Sequence, residues 1–256
     1  MVARFDLPNL GSAFSKYFQI VPALTEELRD HAFRIRHQVY CEELKFEPER
    51  PARRETDAYD AHSLHCLIRS VSSREYVACT RLVLARPNAP DYLLPFEKTC
   101  AHTIDRSIID PRVLPRQGIA EVSRLAVIAG YRRRLGERNL PAPTSEADLD
   151  STSAQPRFPF LTIGLYLGTI ELAALHGIDT LFVLTEPKLA RHFARLGVEV
   201  KQIGGPVEHR GLRVPSMMRV SSIVAGLNFL VRPLYAVIAD EVRRAVRDQR
   251  ESRQQG

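Results

Sequence analysis

Residues 32–81, AFRIRHQVYCEELKFEPERPARRETDAYDAHSLHCLIRSVSSREYVACTR, decide how the rest of the chain is read. Leu28, Ala32, Ile35 and Val39 recur at helical spacing, which predicts a helix with one apolar face. Thr25 is suited to cap it, and Glu26 and Glu27 are favourable in its first turn. Arg36, Tyr40 and Glu43 fall on a second face of that helix. Residues 47–60 carry Pro48, Pro51 and many charges, so they read as a loop. Residues 64–70 and 75–85 follow as the two strands of an antiparallel hairpin. Arg36, Tyr40, Glu43, Phe46, Glu55, Asp57, Asp60 and Arg81 thus alternate charge and aromaticity through helix, loop and strand, like the wall of a pocket. In a solvated loop the acids would be unremarkable. Between Tyr59, His62 and an apolar strand, they predict an ordered loop that holds a cationic group such as an amine, or that orients Arg36. No histidine pair joins them at metal-ligand spacing, so no metal is expected.

Working outward, residues 1–22 read as a lead-in segment or short helix, and the proline-rich residues 86–118 as loops over an opening. Residues 120–129 predict a central strand that starts polar, with Glu121, Ser123 and Arg124, and ends apolar. A regular strand places 121 and 123 opposite 124, whereas a bulge would bring the charges to one cleft. The pair is either a structural salt bridge or a general base at Glu121 with Arg124 holding an anion or carbonyl. The run from Gly130 to Arg138, with Arg132, Arg133 and Arg134, is either a solvated basic loop or an anion site built from glycine amides and guanidinium groups. Residues 139–159 form an irregular insertion.

An apolar helix is predicted at 160–176 with Gly177 ending it, then a strand at 180–185, a helix at 187–196, and strands at 198–203 and 212–221. The helical tract at 224–247 is interrupted at Arg232 and Pro233 and falls short of a membrane span. It reads either as a packed terminal helix or as a peripheral membrane or dimer contact.

The order of elements predicts one α/β (α+β) domain over 1–221, its core at about 25–221, with a mixed, mostly antiparallel sheet flanked by helices and a helical extension at 222–256. No glycine-rich phosphate motif follows a strand, which argues against dinucleotide and P-loop chemistry. The net charge of +6 admits an acidic or phosphate-bearing partner but is too small to argue for nucleic acid. Four scattered cysteines and a polar first segment fit a reducing, cytoplasmic setting. No Ser-His-Asp order or Cys-His pairing points to a covalent acyl-enzyme.

In their order, RIRHQVYCEELKFEP, ETDAYDAHS and EVSRLAV resemble the autoinducer-synthase-like branch of the GNAT acyltransferases, above all the N-acyl amino acid synthases associated with the PEP-CTERM/exosortase system. The resemblance places Arg36, Tyr40, Phe46, Asp57, Asp60 and Arg81 in the family's acceptor pattern, and Glu121 and Arg124 in its E-x-S-R motif. Two departures stand out: Phe46 occupies a place usually held by tryptophan, and the acetyl-CoA pyrophosphate loop is absent in clean form. The resemblance implies transfer of a long-chain acyl group to the amine of an amino acid or related small molecule. The donor it implies is a phosphopantetheine thioester, on acyl carrier protein ahead of CoA, with no tightly bound cofactor. Glu121 would be the base and Glu43 its reserve, while Arg36, Asp57, Asp60 and Arg124 would orient the acceptor. Val127, Ile128, Gly130, Arg132, Arg133, Arg134 and Arg138 would meet the donor, which enters where the strands starting near Ala120 and Thr180 splay apart. An acyl-homoserine-lactone synthase using S-adenosylmethionine and a non-catalytic acyl-binding scaffold are the alternatives.

Overall fold

The computed structural model describes residues 9–132 and 160–254. The expected insertion at 139–159, together with Arg133, Arg134 and Arg138, lies outside the described residues. Asn9 caps α1 (Leu10–Tyr17) by accepting the Gly11 N–H at 3.0 Å, and β1 (Phe18–Pro22) follows directly. Thr25 caps α2 (Glu26–Arg36) through the Leu28 N–H at 3.2 Å, as its sequence predicts. At Arg36 the α-helical ladder gives way to a π-helix over His37–Glu43, a wider turn characteristic of functional sites. The hairpin of β2 (Ser63–Ser70) and β3 (Tyr76–Leu84) precedes the short α3 (Pro95–Thr99) and β4 (Ile119–Val127). Then come α4 (Phe160–Leu175), β5 (Thr180–Thr185), α5 (Pro187–Arg195), β6 (Lys201–Gln202), β7 (Val207–Glu208), β8 (Leu212–Arg219), α6 (Val220–Gly226) and α7 (Arg232–Gln254).

The eight strands form one sheet in the order β1-β2-β3-β4-β5-β8-β6, with β7 also on β8. Every pairing is antiparallel except β4–β5. That parallel register runs only from Ile119↔Thr180 to Val122↔Val183. Beyond it β4 continues to Val127 beside β3, and β5 continues to Thr185 beside β8, so the sheet opens into a wedge. This is the splay expected between these strands.

Alternation along the strands divides the core between the two faces. Cys66 and Ile68 face the cluster that contains α1, α4 and α7, while Leu67 packs with Ala32, Ile35 and Val39 of the helix opposite. A third cluster stacks Phe96 on Phe182, ring centroids 4.4 Å apart, under α3. Helix α4 is buried along its length from Phe160 to Ala173, as an apolar helix must be when it has neighbours on all sides. Gly164 and Gly168 let it lie against Phe14, Ile20 and Cys66. Its one buried carboxylate, Glu171, accepts from Tyr235 Oη at 2.6 Å and Arg243 Nε at 2.6 Å on α7. Leu234, Ile238, Val242 and Val246 complete that cluster, so the tract expected as an extension packs into the main core. No helix among the described residues is long and apolar enough to cross a membrane.

β1 was not anticipated. Five residues ending in proline give no readable period, and its outer edge is closed by a side chain rather than a strand: Ile20 N–H donates to Glu241 Oε2 at 2.9 Å.

Candidate active site

The helix end, the acidic loop and two strands converge on one charged cluster. Arg36 is fully buried, its Nε donating to Glu55 Oε2 at 2.5 Å and its Nη1 to Asp60 Oδ1 at 2.6 Å. Arg81 on β3 donates to Asp57 Oδ1 at 2.6 Å, Asp60 Oδ1 at 3.0 Å and Ser123 Oγ at 3.2 Å. Arg124 Nη2 reaches Glu55 Oε1 and Asp57 Oδ2, each at 3.2 Å. Three guanidinium groups therefore face three carboxylates. Burial alone would raise the carboxyl pKa values, but the arginines outweigh it and hold Glu55, Asp57 and Asp60 below the usual carboxylate range. Beneath them the buried His65 is pushed down to about 3 by desolvation and the Arg36 charge, and stays neutral.

The backbone explains how charges from separate elements meet. The loop is folded by its own acids: Asp57 N–H donates to Asp60 Oδ2 at 2.8 Å and Tyr59 N–H to Asp57 Oδ1 at 2.9 Å. On β4 the register with β3 slips between Cys79 and Arg81, and Arg124 adopts φ +54°. That bulge turns Arg124 toward the acidic loop and settles the strand in favour of a shared cleft.

Beside the cluster, at the mouth of the wedge, lies a cavity of about 310 Å³. Of the expected site residues, Tyr40, Phe46, Asp57, Arg81, Glu121 and Arg124 line it. Tyr40 Oη donates to Leu125 O at 2.8 Å, fixing the ring against β4. Glu121 is 3% exposed and accepts the Phe96 N–H at 2.7 Å. Burial pushes its carboxyl up to about 7, against the Phe96 bond and the charges of Arg81 and Arg124. A buried carboxyl at this value can exchange a proton near neutral pH.

Other expected residues lie elsewhere. Arg36 and Asp60 sit behind the cavity wall, each engaged by the cluster, and do not line the cavity. Glu43 is turned by the π-helix toward the end of β4, where it accepts from Ala129 N–H at 3.1 Å and pairs with Arg132. Arg132 is buried in that pair rather than presented to a donor. Val127 is fully buried in the core, Ile128 is half-buried, and Gly130 is exposed on the turn beyond. Two amides at this strand end are engaged within the protein: Ile128 N–H donates to Val77 O and Ala129 N–H to Glu43. The physical reason is that the wedge opens at Val122, earlier than the strand's end. Among the described residues no cluster of His, Cys, Asp or Glu is placed to hold a metal ion.

Sequence reasoning singled out none of Glu186, Arg210 or Arg213, which line the far side of the cavity together with Tyr166 of the apolar helix. They come from α4, the residue before α5, and the β7–β8 turn and strand, and no local motif unites them. Glu55 was quoted among the acids, yet its place bridging Arg36 and Arg124 emerges only in three dimensions.

Comparison with known proteins agrees with this architecture. A family model described as an acetyltransferase (GNAT) domain matches residues 35–141. No curated protein matches the sequence. Among solved structures, TofI in a ternary complex with an inhibitor and MTA superposes with a TM-score of 0.54 at 19% identity, over 80% of this chain and 95% of that one. BjaI, a CoA-dependent acyl-homoserine lactone synthase solved with SAM and isopentyl-CoA, gives 0.53 at 19% identity, over 88% and 89%. FeeM, an N-acyl amino acid synthase from uncultured soil microbes, gives 0.54 at 15% identity, over 84% and 96%. The splayed sheet, the helix layers on both faces and these superpositions together establish that the chain has the GNAT fold.

Proposed function

We propose that the protein is an N-acyltransferase that moves an acyl group from a phosphopantetheine thioester to the amine of an amino-acid-derived acceptor. The observation that carries this reading is Glu121: a buried carboxyl at about 7, lining a cavity at the mouth of the β4–β5 wedge. An amine is protonated at neutral pH and cannot attack a carbonyl until it loses a proton. In the proposed reaction Glu121 takes that proton, the amine nitrogen bonds to the thioester carbon, and the carbon–sulfur bond breaks. The newly bonded nitrogen gives up a second proton, which passes to the departing thiolate, and the first leaves Glu121 for solvent. The edge of β4 beyond Val122 has no β5 partner and offers amides to the developing oxyanion. The Arg36–Glu55–Asp60 pairs stiffen the acceptor wall from behind, and the Arg81–Asp57 pair is part of that wall.

The donor is an acyl group on carrier protein or on CoA. Of the two acceptor readings, S-adenosylmethionine with lactone formation has more support among the solved neighbours, since TofI and BjaI were captured with MTA or SAM, while FeeM favours a free amino acid. A non-catalytic scaffold is disfavoured because it gives no reason to bury an ionisable carboxyl in the cavity wall. The narrower placement beside the PEP-CTERM/exosortase system rests on the sequence motifs alone, and genomic neighbours would test it. The deciding experiment supplies purified protein with long-chain acyl carrier protein and acyl-CoA, against S-adenosylmethionine and a panel of amino acids, and reads products by mass spectrometry. An N-acyl product with stoichiometric thiol release is expected; none with any pair would refute acyl transfer.

A further inference from the structure

An amino-acid-derived acceptor brings a carboxylate as well as an amine, and the arginines nearest the motifs are not free to receive it. Arg36, Arg81 and Arg124 are matched by Glu55, Asp57 and Asp60, so that wall carries no net charge toward a second anion. Three other basic side chains line the cavity: His209, Arg210 and Arg213. Burial and the nearby Arg124 and Arg213 charges lower the His209 pKa. Arg213 is held by Glu186 at 2.5 Å and donates its Nη2 to Arg210 O at 3.4 Å. Arg210 differs from both. Its Nη2 pairs with Glu47, and its remaining N–H donors have no protein partner among the described residues. Its guanidinium lies 6.0 Å from the ring centroids of both Tyr40 and Phe46, which line the same cavity.

The backbone adds a second observation. Arg210 sits at the tip of the turn between β7 and β8 with φ +54°, followed by Gly211 at +99°. Glycine would take this left-handed position without strain, so the turn itself gives no reason for an arginine. The side chain over the cavity does.

We infer that Arg210 binds the acceptor's carboxylate, with the amine directed to Glu121; the inference rests on the acyl-transfer reading for the kind of molecule that fills the cavity. A guanidinium suits this task because its planar edge donates two parallel hydrogen bonds to a carboxylate. Arg210→Gly removes the group while easing the backbone, so the variant is expected to fold and melt no lower than the parent. Calorimetry would compare S-adenosylmethionine with its decarboxylated form, and methionine with methioninamide. The parent is expected to bind at least one carboxylate form roughly tenfold tighter than its partner, and Arg210→Gly to lose that preference with acyl-CoA affinity unchanged. A parent without preference, a variant that keeps it, or a loss confined to acyl-CoA would overturn the inference. Products followed in parallel separate the two readings. An Arg210-dependent preference without N-acyl product would uphold this site and count against acyl transfer, whereas product with an Arg210-independent preference would do the reverse.

Discussion

Replacing Glu121 by glutamine should trade activity for stability, and the size of the trade follows from its surroundings. Its carboxyl moves from an ordinary 4.5 to about 7 on burial. That difference corresponds to about 3 kcal/mol between the two protonation states. The folded protein holds this proton more tightly than the unfolded chain does. The resulting stabilisation is therefore fully present below about 4.5 and is lost as pH rises through about 7. At pH 8 the native state carries an ionised, desolvated Glu121, whereas a glutamine is neutral at every pH, nearly isosteric, and still able to accept the Phe96 N–H. Urea denaturation is expected to find Glu121→Gln more stable than the parent by about 3 kcal/mol at pH 8 and nearly equal to it at pH 4. Turnover should fall by about 100-fold or more, and the parent's kcat/KM should rise with pH through about 7. Equal stabilities at pH 8 would show that the carboxyl is not perturbed, and undiminished turnover would remove it from the proton path.

The charged cluster behaves oppositely. Its carboxylates have lowered pKa values, so their contribution is present above the usual carboxylate range and lost as pH falls through the lowered values. Arg36→Ala strands Glu55 and Asp60 and should cost about 3–5 kcal/mol at pH 7, with a shallower acid limb in thermal melts; a loss below 1 kcal/mol would show that the pairs are dispensable. Gly168→Ala would set a Cβ 2.8 Å from Ile20 Cγ1 and 2.9 Å from Cys66 Sγ. Overpacking there should cost about 1–3 kcal/mol, visible as a lower denaturant midpoint without change in acceptor KM.

What the sequence could and could not tell follows from the range of each interaction. The α2 cap, the β2–β3 hairpin, β5 and α4 are set by neighbours a few residues away, and their signals were local. The acids from Glu55 to Asp60 were legible because one short loop carries them all. The bulge at Arg124 was visible only as a possibility, since it is fixed by a register slip against β3. Arg210 was beyond reach: it meets Glu47 across 163 residues, and a lone arginine before a glycine reads as an ordinary turn. The reach of the charged side chains misled in another way. Spacing placed Arg36 and Glu43 with the site, but the former is enclosed behind it and the latter is drawn to Arg132.

The seating of α7 also bears on how the chain matures. Its Glu241 closes the outer edge of β1 at Ile20, a partner 221 residues earlier, and Gln249 reaches back to Leu24 O. During synthesis the N-terminal strand must therefore wait, its edge uncovered, until nearly every other described element has left the ribosome. An unsheltered edge is a template for pairing with other chains. Shortening α7 should consequently show itself first as poor yield of dispersed protein in the cell, before any change in the chemistry of the cavity.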